Sequence, residues 1–496
     1  MLYVGMLGFS SGLPYLLSFA TLSLRLAQSG VEVVLIGFLA WISLVNNLKF
    51  LWAPVLDRYA APGMGRSAGR RRGWVVLCQM GVAASLAGLA VTDPAAGLLP
   101  VALLALLTVF WSASQDVAID AWRIELARDE AEAGLLAAAH LWGYRGAMVA
   151  GGGGTLYLAG SFGWEPAYLA AAGAMGLLAT AVLLLPTPRA VGVQAVARPA
   201  WRDKAGGVLV ALLAMAAVSL VILAIGRAVP ELAQLLGIAT DRRDVALRVA
   251  ALALLPFLAA TLAIQRIRRD GTETRWGRAA TTAGVIEFLH RFGWAALLLL
   301  AFTALFRLGD LVMGAIGKTL YAHLGYTAQT VGAVEGTIGL AAAMTGVALG
   351  GLSTGRLGPR TALLLGGGLA AAGNLAFAWL ALSPVETWRL ALAVGLDGFG
   401  GGVASAVFIV FLAGLTCRRH AGTQYALLSS FAFLVPQLVA GSSGLVQASV
   451  GYAGFFAGTA ALALPALLLV PLVVRIADRH RAPSLDAFPS PSPSLP

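Results

Sequence analysis

Two aspartates four residues apart, Asp116 and Asp120, close the string "SASQDVAIDAW" at 112–122, where a run of apolar residues would otherwise read as an unbroken membrane span. An ionised carboxylate in hydrocarbon costs several kcal/mol, so acids there mark a proton site, a solute site or a paired helix end. Spaced four apart on a helix, the two share one face. Further charges lie inside other apolar runs: Lys49, Arg145, Arg307, Asp310, Glu335 and Asp397. Arginine grips a carboxylate through two parallel hydrogen bonds, and an acid beside a cation changes partner when it takes a proton. That chemistry is ion pairing and proton exchange within a bilayer. No nucleophile and base stand together, so no enzyme is read. Cys78 and Cys417 give neither a disulfide framework nor metal-ligand spacing, so no metal is expected, and no cofactor beyond a proton gradient.

The elements that must hold these charges are set by composition. Of 496 residues 59% are hydrophobic and 11% charged, against about 25% charged in soluble domains. The net charge of +11 comes largely from arginines in short loops between apolar runs, which is how orientation is set in a bilayer, and not from a nucleic-acid face. About 20 apolar residues cross the hydrocarbon core. Spans are expected near 2–24, 33–54, 73–92, 98–121, 134–159 and 166–187, then a pair near 206–226 and 245–264. Six more follow near 293–316, 328–352, 361–382, 387–415, 422–447 and 453–475. No cleaved leader is read before the first span, and the chain opens so close to it that a shortened start is expected.

Basic loops hold Arg58, Arg66, Arg70, Arg71 and Arg72, Arg356 and Arg360, and Arg418 and Arg419, whereas the loops near 93–97, 160–165 and 448–452 hold none. By the positive-inside rule the basic end and both termini are cytoplasmic. The loop at 227–244 breaks the pattern with three arginines, so the central pair is the weakest part of the topology. The two sets of six spans repeat at one ungapped offset of 290: Gly65-Arg66 and Arg70 match Gly355-Arg356 and Arg360, Arg128 matches Arg418, and "VAGGGG" (149–154) matches "VAGSSG" (439–444). A parallel pair of six-helix bundles joined by a long linker resembles the major facilitator architecture. The expected fold class is therefore an all-α polytopic membrane protein of that fold, with two bundles plus an inserted central helix pair, about 14 transmembrane helices. Its divisions are 1–188, a linker at 189–292 with the extra pair, 293–480, and a Pro/Ser-rich disordered tail at 481–496.

In that architecture the first, second, fourth and fifth helices of each bundle line a central cavity. The eight charges named above all fall on those helices. At about 1.5 Å per residue, Arg145 and Asp397 lie near the midplane and Arg307 and Asp310 at mid-depth or slightly beyond. Glu335 is in the outer half, Asp116 in the cytoplasmic third, and Asp120 and Lys49 approach the inner interface. Plainer readings stand beside these: Asp120 paired with Arg123 at a helix end, Lys49 snorkelling to the interface, and glycines 151–154 packing helices closely.

"GFSSGLP" (8–14), "LKFLWAPVLDRY" (48–59), "GRRRGW" (69–74), "SASQDVAIDAW", "GYRGAM" (143–148), "FRLGD" (306–310) and "GTQYALLSS" (422–430) together resemble the AmpG muropeptide permeases, across roughly 2–190 and 285–475. The resemblance implies proton-driven import of anhydromuropeptides, disaccharide-peptide fragments of peptidoglycan, from periplasm to cytoplasm through the bacterial inner membrane. Acetyl-CoA transporters share the early motifs, and an exporter on the same fold is the second reading. The partners expected are the glycopeptide, protons and lipid, with a monomer as the working unit. Lys49, Arg145 and Arg307 would bind substrate carboxylates, and Asn46, Asn47, Tyr144 and Gln437 its sugar and peptide groups. Asp310, Glu335, Asp397 and Asp116 are the candidates for proton coupling. Asp57, Arg58, Arg70, Arg71, Asp116, Asp120, Arg123, Arg356 and Arg360 would form a gate network at the inner end.

Overall fold

The computed structural model describes residues 1–18, 20–29, 44–62, 69–94, 97–184, 257–258, 260–266, 283–440 and 443–480. Among them the chain is helical throughout, as a chain in lipid must be when every backbone amide needs an internal partner. The N-terminal half comprises α1 (Leu2–Ser18), α2 (Ala20–Gln28), α3 (Leu44–Asn47), α4 (Ala53–Arg58), α5 (Arg70–Val91), α6 (Leu98–Leu126), α7 (Glu130–Val149), α8 (Thr155–Phe162) and α9 (Trp164–Leu184). The C-terminal half comprises α10 (Ala283–Phe292), α11 (Ala295–Leu324), α12 (Ala328–Val334), α13 (Leu340–Ala381), α14 (Thr387–Gly414), α15 (Ala421–Ala440), α16 (Ser443–Ala461) and α17 (Ala463–Arg479).

Nine stretches among the described residues are long and apolar enough to cross a membrane. One of them, Gln329–Ala381, has 53 residues, which at 1.5 Å per residue is about 80 Å and therefore two crossings. The reversal falls at Gly358, whose φ of 73° suits glycine alone, with Pro359 starting the return helix. Gly451 (φ 72°) breaks α16 in the same way, between the expected spans 422–447 and 453–475. Positive-φ glycines recur as pairs, Gly69 with Gly358 and Gly163 with Gly451. Their spacings fall one and two positions short of 290, so the repeat is present in the backbone but not at one ungapped offset.

The second span departs from expectation. Instead of one helix to 54, α3 gives way to a 3-10 turn at Lys49–Leu51 and then to α4. Asn46 and Asn47 are poor helix formers, and Pro54 lacks the N–H that would continue the ladder. α6 runs to Leu126, five residues past the expected end, because Arg123 and Glu125 are buried with partners and so do not have to reach water. α11 likewise runs past 316 to Leu324. Of the central pair only 257–258 and 260–266 are described. They lie against the C-terminal half, Phe257 meeting Phe431 edge-on at 5.4 Å and Ile264 fully buried. The rest of the pair, residues 33–43 of the second span and the tail at 481–496 lie outside the described residues.

Helices meet where glycines let backbones touch. A methyl at Gly143 would overlap the Gly5 carbonyl where α1 crosses α7, and a methyl at Gly134 would overlap Gly351 where α7 crosses α13. The apolar cores interlock at the basic end: Ala426 of α15 belongs to the N-terminal core, while Ala121 and Ile124 of α6 belong to a C-terminal one.

Candidate functional site

At the basic end Asp57 joins the halves. Its Oδ2 accepts hydrogen bonds from the Thr423 amide at 2.6 Å and the Thr423 hydroxyl at 2.7 Å, and its Oδ1 accepts one from the Gly422 amide at 3.2 Å. Those amides belong to the first turn of α15, which no helix can satisfy from within. The carboxylate of one half therefore caps the positive end of a helix in the other. Arg71 stands 2.8 Å from Asp57 and 2.6 Å from Glu125, and Arg70 stands 3.4 Å from Glu125 and also donates to the Asp57 carbonyl. Burial alone would raise the Asp57 carboxyl, but the Arg71 guanidinium and the Thr423 hydrogen bonds outweigh it and hold it below the usual carboxylate range. Arg418 adds a 2.7 Å bond to the Ala127 carbonyl.

The other gate candidates sort differently. Asp120 pairs with Arg123 at 3.3 Å within α6, and Arg123 lies 5.5 Å from the Tyr425 ring across the seam. Asp116 faces Lys49 and Ser11, both in its own half. The opening pair of acids is thus held inside one half, and Asp57 is the carboxylate that bridges the two. Arg58 sits 5.9 Å from the centre of its neighbour Tyr59's ring. Arg356 and Arg360 are exposed and make no ion pair among the described residues. Glu125, Gly422 and Thr423 were not singled out by the sequence. Gly422 and Thr423 stand in the string "GTQYALLSS", but nothing in their type announces a free helix end.

Nearer the midplane, Arg307 donates to Asp310 Oδ2 at 3.0 Å and to Ser405 Oγ at 3.3 Å, with the Phe433 ring 5.9 Å away. Arg145 of α7 approaches Arg307 and Asp397 from the other half and makes no hydrogen bond among the described residues. Asp397 lies in the field of Arg145, Arg307, Asp310 and Glu335, its backbone close against Gly373. Tyr144 and the exposed ring of Tyr15 stand 6.3 Å apart beside Arg145. Asn47 donates to Gln437 across the seam, so these two expected substrate ligands bind each other here. Lys49 is buried and Asn46 half-buried, both on the broken second span.

α7 and α13 run antiparallel along the seam, with Ala131 against Gly355, Gly134 against Gly351, and Trp142 Nε1 donating to the Met344 carbonyl at 2.9 Å. Continuing that register places the π-helical turn Ala150–Gly154, between α7 and α8, level with the π-helical turn Glu335–Gly339, between α12 and α13. The glycines 151–154 were read as packing residues. Gly151 and Gly152 do lie against Leu13 and Leu16, but the run also widens the helix.

The arrangement matches solved transporters along nearly its whole length. The human organic anion transporter MFSD10 covers 95% of this chain and 97% of its own, with a TM-score of 0.56 at 18% identity. The proton:xylose symporter XylE gives a TM-score of 0.58 at 13% identity, covering 95% and 94%.

The fold is that of the major facilitator superfamily.

Sequence relatives cover the facilitator fold just as fully. The anhydromuropeptide permease of Escherichia coli K12 is 27% identical over 467 residues, 94% of this chain and 77% of the relative. A Rickettsia conorii protein named transporter AmpG 4 is 25% identical over 466 residues, 94% of each chain. No family model matches the chain. The resemblance to AmpG-type permeases read from short strings thus extends through both halves of a multi-pass membrane protein.

Proposed function

We propose that this chain imports anhydromuropeptides across the bacterial inner membrane by alternating access, driven by protons, as a monomer with its basic end and both termini cytoplasmic. The observation that carries the reading is the midplane group, in which Arg145 of one half and Arg307, Asp310 and Asp397 of the other converge. Arg307 is neutralised by Asp310, whereas Arg145 is left to take a substrate carboxylate, and Asp397 stands where a proton changes the balance between the two guanidiniums. Glu335 is the second coupling candidate and Asp116, beside Lys49, the third. The E. coli relative, named for anhydromuropeptides, supports the solute, and the Asp57 network supports a state closed at the cytoplasmic end. The division into bundles at 1–188 and 293–480 about a linker belongs to the same reading.

Uptake of a defined anhydromuropeptide into proteoliposomes under an imposed proton gradient tests this. Gradient-dependent accumulation is expected, and transport of another solute in its place would overturn the substrate while sparing the fold. Asp397→Asn or Asp310→Asn should abolish accumulation but leave exchange of internal for external solute partly intact. Wild-type accumulation in either variant removes that residue from coupling.

A further inference from the structure

Two aromatic rings beside the midplane arginines belong to none of the apolar cores formed by the described residues. Tyr15 of α1 is 41% exposed and Phe433 of α15 is 40% exposed, whereas Phe302 and Phe408 at the C-terminal core are buried. On the outside of a bundle such rings would be ordinary lipid contacts, but these two face the seam. Gln437, one turn along α15 from Phe433 and on the same face, meets Asn47 of the other half. Ser11, one turn before Tyr15 on α1, faces Asp116. Tyr15 stands against Tyr144, the neighbour of Arg145, and Phe433 lies 5.9 Å from the Arg307 guanidinium. Each half therefore presents one open ring next to one arginine.

Carboxylate recognition does not require these rings, since a guanidinium binds a carboxylate through its own N–H fork. An open ring among charged groups leaves apolar surface uncovered, which marks it as a contact for a ligand. The ligand that suits both has flat apolar faces and polar edges. A pyranose has that form: its axial C–H groups stack on the negative face of an aromatic ring, while the hydroxyls at its rim reach hydrogen-bonding side chains. One such ring on each half fits two linked sugars laid across the seam. We propose that Tyr15 and Phe433 hold the glycan of the substrate by stacking on its pyranose faces, one from each half. Recognition is then divided, with sugar on the rings and peptide carboxylate on Arg145. The assignment rests on the solute reading above and goes beyond it by naming the part of the solute that each side chain takes.

The test titrates the purified full chain in detergent, with no proton gradient, against three probes by calorimetry. They are a defined anhydromuropeptide, its disaccharide without the peptide, and the free peptide. The wild type should bind the anhydromuropeptide tightest and the disaccharide more weakly but measurably. Tyr15→Leu and Phe433→Leu should each weaken binding of both sugar-bearing probes by the same factor, about tenfold. Their thermal midpoints should match the wild type, because both rings are exposed. Tyr15→Phe, which keeps the ring and loses the hydroxyl, should recover most of the loss. Anhydromuropeptide bound as tightly by the leucine variants as by the wild type overturns the assignment and leaves the solute reading standing. So does a lowered midpoint, which would make the rings packing residues, or a loss that falls equally on the free peptide. Failure of the folded wild type to bind either sugar-bearing probe overturns both readings.

Discussion

Asp57 shows how one side chain can hold a conformational state. Hydrogen bonds to a charged group are worth about 1.5–3 kcal/mol net, so a carboxylate accepting three of them and facing Arg71 biases the basic end strongly toward closure. Asp57→Asn should shift the closed–open balance by roughly tenfold to a hundredfold, read as the population of long distances between spin labels at the exposed positions 128 and 356. An unchanged distribution would refute the latch. The pH dependence has a definite sign. The Asp57 carboxyl is held below its ordinary value in the closed state, so its contribution is complete above the ordinary carboxylate range, around pH 4, and fades only as pH falls through the lowered value. Between pH 7.5 and 5 the wild-type distance distribution should not move on its account. Loosening within that window would assign the switch to another group.

At the scale of elements, the seam between α7 and α13 is closely packed near the basic end and flanked by π-helical turns beyond it. Gly134 and Gly351 bring backbones into contact near the basic end, whereas π-helical turns at Ala150–Gly154 and Glu335–Gly339 interrupt the two helices at the same level further along. The i→i+5 bonds of such turns are rare in helices and occur often at functional sites. A hinge pair here would let the outer parts of the helices swing while the glycine contact holds. Amide exchange in lipid should be faster at 150–154 and 335–339 than in the helical turns that flank them. Uniform protection from Glu130 to Phe162 would remove the hinge.

For the whole molecule, alternating access requires the basic end to open during a cycle. A Cβ at 355 would stand 2.6 Å from that of Ala131, about 1 Å inside the usual disulfide spacing, so cysteines at both positions should cross-link the seam after a small outward shift of the helices. The oxidised variant should bind solute from the far side yet fail to deliver it, and reduction should restore uptake. Uptake by the cross-linked protein would rule out opening at this end.

The sequence alone determined the all-helical membrane fold, the places where most spans begin and end, and the helices that carry charge. Each of these follows from local quantities: apolar run length, backbone satisfaction in hydrocarbon, and the cost of a buried ion. The strings that mark the AmpG resemblance were equally legible, because they mix charge, aromatic rings and glycine in fixed order. Partnership was not legible. Asp116 and Asp120 look like the leading acids by depth and spacing, yet Asp120 pairs with Arg123 and Asp116 faces Lys49, both within one half, while Asp57 reaches a helix end 366 positions away. The break around Lys49 and the widened turns at 150–154 and 335–339 were also hidden, since a π-helical turn depends on what the helix packs against. Which charge meets which is decided by how two bundles close on each other, and that is a property of the tertiary structure alone.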